Sequence, residues 1–335
     1  MKRLIALLMA AALSLPLCAC AAPQEAPGEE KLQVVTTLFP YYDFARAIAG
    51  DRAEVTLLLS PGREAHSFEP TPLDAVTIAE ADVFLYNGGE GEYWVEEMLD
   101  AAGEDITVTA RMMDCVDALG EEFVEGMQGA DAHDHEHGHD SHDGHDDHDH
   151  DDHDSDEIEY DEHIWTSPRN AVTLCRAVCE ALCEADGANA DFYRANCADY
   201  CAQLSALDAR FAALCAGAEN RLLIFADRFP MLYFCKEYGL DYRAAFHGCS
   251  GDTEPSLATL RYLIDRVAED SIPVVYTVDL GTKKIAEVVS ECTGAEIETV
   301  CSMQTISRAD FDAGETYLSL MERNYEALRK GLNNE

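Results

Sequence analysis

Basic residues are scarce in this chain of 335 residues, where 23 Lys and Arg face 65 Asp and Glu for a formal net charge of -42. None falls between Arg111 and Arg169, a span that holds most of the histidines. So acidic a surface repels nucleic acid and anionic membrane surfaces, which excludes both as charge-driven partners and leaves cations as the natural ligand class. Also missing are a GxSxG elbow and a P-loop, which removes two common hydrolase readings. None of the 13 cysteines is spaced CxxC, so neither a zinc site of that type nor a thioredoxin-like motif is expected. The apolar run from Leu4 to Leu17 falls short of the roughly 20 residues that a bilayer-spanning helix needs.

That short run does fit a targeting segment, because Lys2 and Arg3 precede it and small residues follow. We read residues 1–20 as a lipoprotein signal peptide. Leu17-Cys18-Ala19-Cys20 resembles a bacterial lipobox, with Leu at -3, a small residue at -1 and Cys20 as the acylated residue. Residues 21–30, rich in Pro, Glu and Ala, read as a flexible tether. The chain is thus expected outside the cytoplasm, anchored to the bacterial cell membrane by lipidated Cys20. The 11 remaining cysteines include Cys175, Cys179 and Cys183 on one helix and Cys197 and Cys201 on the next, each spaced by four. Cross-helix pairing of Cys179 with Cys197 and Cys175 with Cys201 is conceivable, but small apolar packing residues are the simpler reading.

From residue 32 onward, β-branched runs alternate with amphipathic stretches, the pattern of parallel sheets covered by helices. Strands are expected at Leu32 to Thr37, Ala53 to Leu59, Asp82 to Asn87 and Ile106 to Ala110, with helices near 41–49, 71–80 and 92–102. Ser167-Pro168 opens a helix to about Ala185, and Gly187 separates it from a long helix reaching about Ala216. A second set of strands follows at Arg221 to Ala226, Tyr242 to Phe246, Pro273 to Val278 and Glu296 to Val300, before a final helix from Asp310 to about Leu332. The fold expected is α/β, two lobes each with a parallel four-stranded sheet flanked by helices and joined by a long rigid connector helix. The lobes are assigned to residues 31–186 and 218–335, with the connector at 187–217 and a disordered His- and Asp-rich loop at about 126–158.

Nine of the 12 histidines sit in that loop: His133, His135, His137, His139, His142, His145, His148, His150 and His153. Such a composition cannot build a packed core, and its imidazoles offer several weak, exchangeable metal sites. The other three lie where open α/β sheets bind ligands, at the carboxyl ends of strands. His66 sits in a loop stiffened by Pro61, Pro70 and Pro72; His163 stands beside Asp161 and Glu162; His247 ends a strand of the second lobe. A carboxylate next to His163 can accept one ring N–H and fix its tautomer, as metal-bound imidazoles require. Asp227 and Asp279 also follow strands of the second lobe.

Thr36-Thr37-Leu38-Phe39-Pro40-Tyr41-Tyr42-Asp43-Phe44, Gly62 to Pro72, Asp161 to Pro168, Tyr233 to Leu240 and Glu254-Pro255-Ser256 together resemble the zinc and manganese solute-binding lipoproteins of ABC importers. The resemblance covers nearly all of the chain beyond the tether. It implies one metal ion buried between two lobes, with His66 and His163 as first-lobe ligands, and an ABC permease with its ATPase as partners. The tract of nine histidines resembles the His-rich loop of the zinc-type members, an accessory feature. In the second lobe the pattern departs: a His or Glu common before Tyr233-Phe234 is replaced by Phe225-Ala226-Asp227-Arg228-Phe229-Pro230, so Asp227 is the leading substitute and His247 a further candidate. Cys301 reads as a buried thiol.

The functional expectation is a monomeric, non-enzymatic importer component that captures Zn2+ in the interlobe cleft. Imidazole favours zinc, whereas oxygen-rich sites suit Mn2+, the alternative cargo. A metal-storage or adhesin lipoprotein is a second alternative. A zinc-dependent hydrolase is the weakest, because no residue stands out as general base beside a metal-bound water.

Overall fold

Eight short β-branched and aromatic runs build two parallel sheets. Leu32–Thr36 (β1), Ala53–Leu57 (β2), Val83–Tyr86 (β3) and Val108–Arg111 (β4) form the first, in the order β2-β1-β3-β4. Leu222–Arg228 (β5), Asp241–Phe246 (β6), Val274–Val278 (β7) and Glu296–Val300 (β8) form the second, in the order β6-β5-β7-β8. The computed structural model describes residues 31–63, 65, 68–103, 106–129, 159–251 and 254–333. Central strands such as β5 are buried on both faces and read as continuous apolar runs, whereas edge strand β2 alternates buried with more exposed positions. All eight expected strands are present, with ends that differ by at most two residues.

Helices Phe39–Ala49 (α1), Pro72–Ala79 (α2) and Trp94–Ala102 (α3) cover the first sheet. Pro168–Ala185 (α4) starts where expected: the Ser167 side chain accepts the Asn170 amide and Pro168 occupies the first helical position. Ala190–Ala216 (α5) has 27 residues, a rod of about 40 Å. It packs along α4 and α1 and joins the two sheets. Leu232–Tyr238 (α6), Leu257–Glu269 (α7), Lys284–Thr293 (α8), Arg308–Ala313 (α9) and Tyr317–Leu332 (α10) complete the second half.

One expected helix is two. The run from Asp310 to Leu332 breaks because Gly314 adopts a left-handed φ of 76° that caps α9, and Thr316 then accepts the Ser319 amide to restart the chain as α10. Residues 126–129, assigned above to the disordered loop, are ordered against the fold: Met127 is buried and Gln128 N donates to Ala245 O across to the second sheet. The nine histidines of the tract, the tether and Cys20 lie outside the described residues.

Leu32–Glu335 behave as one unit. A single apolar core runs from Val34 and Leu85 of the first sheet through Trp165, Leu204 and Phe211 to Phe225 and Tyr276 of the second. Each sheet's other face has a smaller core of its own, around Phe84 and Trp94 in one and around Ile224 and Leu263 in the other. Polar ties cross the same seam: Trp165 Nε1 donates to Ser302 O at 2.7 Å, and the Tyr317 hydroxyl donates to Trp165 O at 2.7 Å.

Candidate metal centre

In both sheets the chain leaves neighbouring central strands in opposite directions, β1 and β3 in one, β5 and β7 in the other. Crevices at such points, outside the carboxyl ends of the strands, are the ligand sites of open α/β sheets. Segment 161–163 is anchored there from both sides. Asn87, just past β3, donates to Glu162 O at 3.0 Å, and the Tyr233 hydroxyl of α6 donates to Asp161 O at 2.8 Å.

His163 is 1% exposed and heads a short turn over Ile164–Thr166. The Asp161 carboxylate accepts its backbone N–H at 2.8 Å and lies 3.2 Å from its Nδ1. With the Nδ1 proton given to Asp161, Nε2 is the acceptor nitrogen, the tautomer that ligates a metal. Burial alone would lower the imidazole pKa, but Asp161, then Glu162 and Glu121, outweigh it and raise it. The environment is thus tuned to hold positive charge at this ring.

Beside His163 opens a cavity of about 30 Å³, lined also by Arg228, Pro230, Gly248, Asp279, Ser302 and Gln304. That admits an ion or a few waters, and is far below the several hundred Å³ of organic-ligand pockets. Its walls come from both lobes. Gly248 must be small, since a Cβ there would stand 3.0 Å from the His163 ring and 3.0 Å from Phe229 O. Asp279, directly after β7, accepts the Ser302 amide at 2.7 Å, and burial pushes its carboxyl up to about 6. A hard oxygen donor whose charge burial disfavours is one that a cation would relieve.

The two expected second-lobe ligands, Asp227 and His247, stand elsewhere. Asp227 accepts from the Thr277 hydroxyl at 2.7 Å, Val278 N at 3.1 Å and Arg228 N at 2.9 Å, so its carboxylate ties β5 to β7. It is absent from the cavity wall, where its neighbour Arg228 stands instead. The His247 ring packs on Phe123 with centroids 5.0 Å apart, and its Nδ1 lies 3.3 Å from Glu121 Oε2. Although burial pulls the Glu121 pKa upward, His247 and His163 hold it below the usual carboxylate range. His247 is likewise not part of the cavity wall.

His66 lies outside the described residues. Its loop nevertheless reaches the cleft: Gly62 N donates to Ile306 O at 2.7 Å, and Ala65 and Phe68 line a small neighbouring cavity together with Glu92, Glu162 and Gln304. Gln304 faces both cavities. Cys301 is buried in the main core, as expected of a packing thiol. Asp279 is the residue that sequence reasoning underweighted; its only signal was its position at a strand end.

Residues 34–331 match the family model described as zinc-uptake complex component A, periplasmic. The chain is 30% identical over 326 residues to the zinc-binding lipoprotein AdcA of Streptococcus pneumoniae, a match that takes in 97% of this chain and 60% of AdcA. It therefore spans only about 60% of that relative's length. To the high-affinity zinc uptake system protein ZnuA of Bacillus subtilis it is 31% identical over 303 residues, 90% of this chain and 88% of that protein. Among solved structures, the Zn(II)-bound ZnuA-like domain of S. pneumoniae AdcA superimposes with a TM-score of 0.71 at 27% identity, covering 91% of this chain and all of that domain.

Proposed function

Because the chain belongs to the family of periplasmic zinc-uptake components, we propose that it is the extracytoplasmic solute-binding component of an ABC importer with Zn2+ as cargo. The observation that carries this reading is the meeting of His163 from the first lobe and Asp279 from the second in one ion-sized cavity between the sheets. His163 Nε2 and an Asp279 oxygen are the two donors we assign, with His66 supplied by the neighbouring loop. Asp227 and His247 rank below Asp279, since neither lines the cavity. Arg228, a cation on the wall of a cation site, makes this donor set leaner than a four-ligand cage.

Ion capture would favour the form in which both lobes contribute donors, the state that a permease can recognise. Energy for transport must come from a partner ATPase, because the chain carries no P-loop. Acylation at Cys20 would hold the monomer at the outer face of the cell membrane, and the tract of nine histidines would gather zinc near the cleft. The imidazole-rich tract favours zinc over Mn2+.

Calorimetric titration of three forms tests the reading, each carrying Cys197→Ser/Cys201→Ser so that the buried thiols do not contribute. The parent of the three should bind one zinc tightly and several weakly. Deletion of residues 131–156 should remove the weak sites and leave the tight one, as a storage protein working through its tract would not. The His66→Ala/His163→Ala pair should abolish tight binding; retention within about threefold, well under the tenfold that 1.4 kcal/mol represents, sinks the assigned site.

A further inference from the structure

Outside the cavity beside His163, α4 and α5 line up thiols on their shared seam. The sulfurs of Cys175, Cys197 and Cys201 are buried and all lie within 4.8 Å of one another. Cys197 and Cys201, one turn apart on α5, hold their sulfurs 3.8 Å apart. Cys179 stands one turn beyond Cys175 on α4, is also buried, and shares with Cys197 and Cys201 the wall of an open surface groove. Residues four apart share one helix face, so two such pairs on two packed helices put four thiols along one seam.

One of the separations fits a particular coordination. A zinc–sulfur bond of about 2.3 Å places the corners of a regular tetrahedron about 3.8 Å apart, which is the separation that Cys197 and Cys201 already have. We propose that Cys175, Cys179, Cys197 and Cys201 form a second, four-thiolate metal site for Zn2+, separate from the cleft and independent of its ligands. Four thiolates around a divalent ion leave two negative charges, and Arg176 and Arg194 on the same groove are placed to oppose them. The groove gives the ion access from solvent. A packing role alone calls for small apolar side chains at these positions; it does not call for sulfur at all four.

Cobalt titration of the full chain, reduced beforehand, tests the site, because thiolate-to-cobalt charge transfer reports sulfur ligation and ignores imidazole or carboxylate sites. Wild type should develop the band to saturation at one ion per chain, and Zn2+ should erase it. Cys197→Ser/Cys201→Ser should lack the band, whereas His163→Ala and Cys292→Ser, the latter altering an exposed thiol on α8, should keep it. A reduced wild type without the band overturns the proposal whatever the variants do, as does a band that survives in the double variant. Mass spectrometry of protein isolated without reductant provides an independent decision: disulfides among these four cysteines would also overturn it.

Discussion

Asp161 Oδ1 receives the His163 backbone N–H and stands 3.2 Å from the ring nitrogen Nδ1, so one carboxylate sets both the position and the tautomer of the proposed ligand. Asp161→Asn keeps an oxygen there but removes its charge. Zinc affinity should fall by about tenfold to a hundredfold, the usual cost of losing such a supporting group, measured by chelator competition; an unchanged affinity would take His163 out of the site. His163 stood out in the sequence as a candidate because acidic neighbours directly precede it. Sequence favoured Asp227 over Asp279, although both follow strands of the second lobe. Packing separates them: the Asp227 carboxylate turns toward Thr277 and Val278 of β7, whereas Asp279 lines the cavity. Local sequence carries no trace of that choice, which depends on a strand 50 residues away.

Among the elements, α1, α5 and α10 meet at Asp43. Its carboxylate accepts the Tyr200 hydroxyl of α5 at 2.6 Å and the backbone N–H of Tyr317, at the start of α10, at 2.9 Å. A side chain from the first lobe thereby satisfies an orphan donor at the amino terminus of the last helix. Asp43→Ala strands two buried donors and should destabilise the chain by roughly 2–4 kcal/mol, seen as a lower urea midpoint with an unchanged slope. Asp43→Asn, which keeps one acceptor, should cost less; equal costs would mean that packing, and not hydrogen bonding, is the source. Strands and helix starts were legible here because β-branched runs, Ser167-Pro168 and Gly187 act locally. The division of α9 from α10 was not, because an amphipathic pattern continues across Gly314; the Gly314 and Thr316 caps, with the anchoring of Tyr317 by Asp43, show where the chain stops and restarts.

Across the whole molecule, both sheets share one apolar core through α4, α5 and α10, so ion capture should move the lobes little. The same burial sets an acid–base signature. Glu92 is enclosed beside the cleft, and burial, reinforced by Glu162, pushes its carboxyl up to about 7 against donation from Gly88 N. The unfolded chain loses this proton near the ordinary carboxyl value, whereas the folded chain keeps it to about 7. Unfolding therefore releases a proton between those limits, and this group's contribution falls as pH rises through the window, by about 3 kcal/mol in all. Glu92→Gln should match wild type near pH 4 in urea denaturation and gain on it up to about pH 8; a gap that does not vary with pH would contradict the shift.

Sequence by itself determined the order of strands and helices, the charge that selects a cation, and the family, because periodicity, caps and composition act over a few residues or over the chain as a whole. Tertiary structure alone decided which acidic side chain meets His163 and which ties two strands together. It also decided that cysteines lacking any CxxC spacing gather their sulfurs on one helical seam. Helical pitch places residues four apart on one face, but whether two such faces meet is a matter of packing between helices, and pairwise convergence of that kind leaves no local mark in the chain.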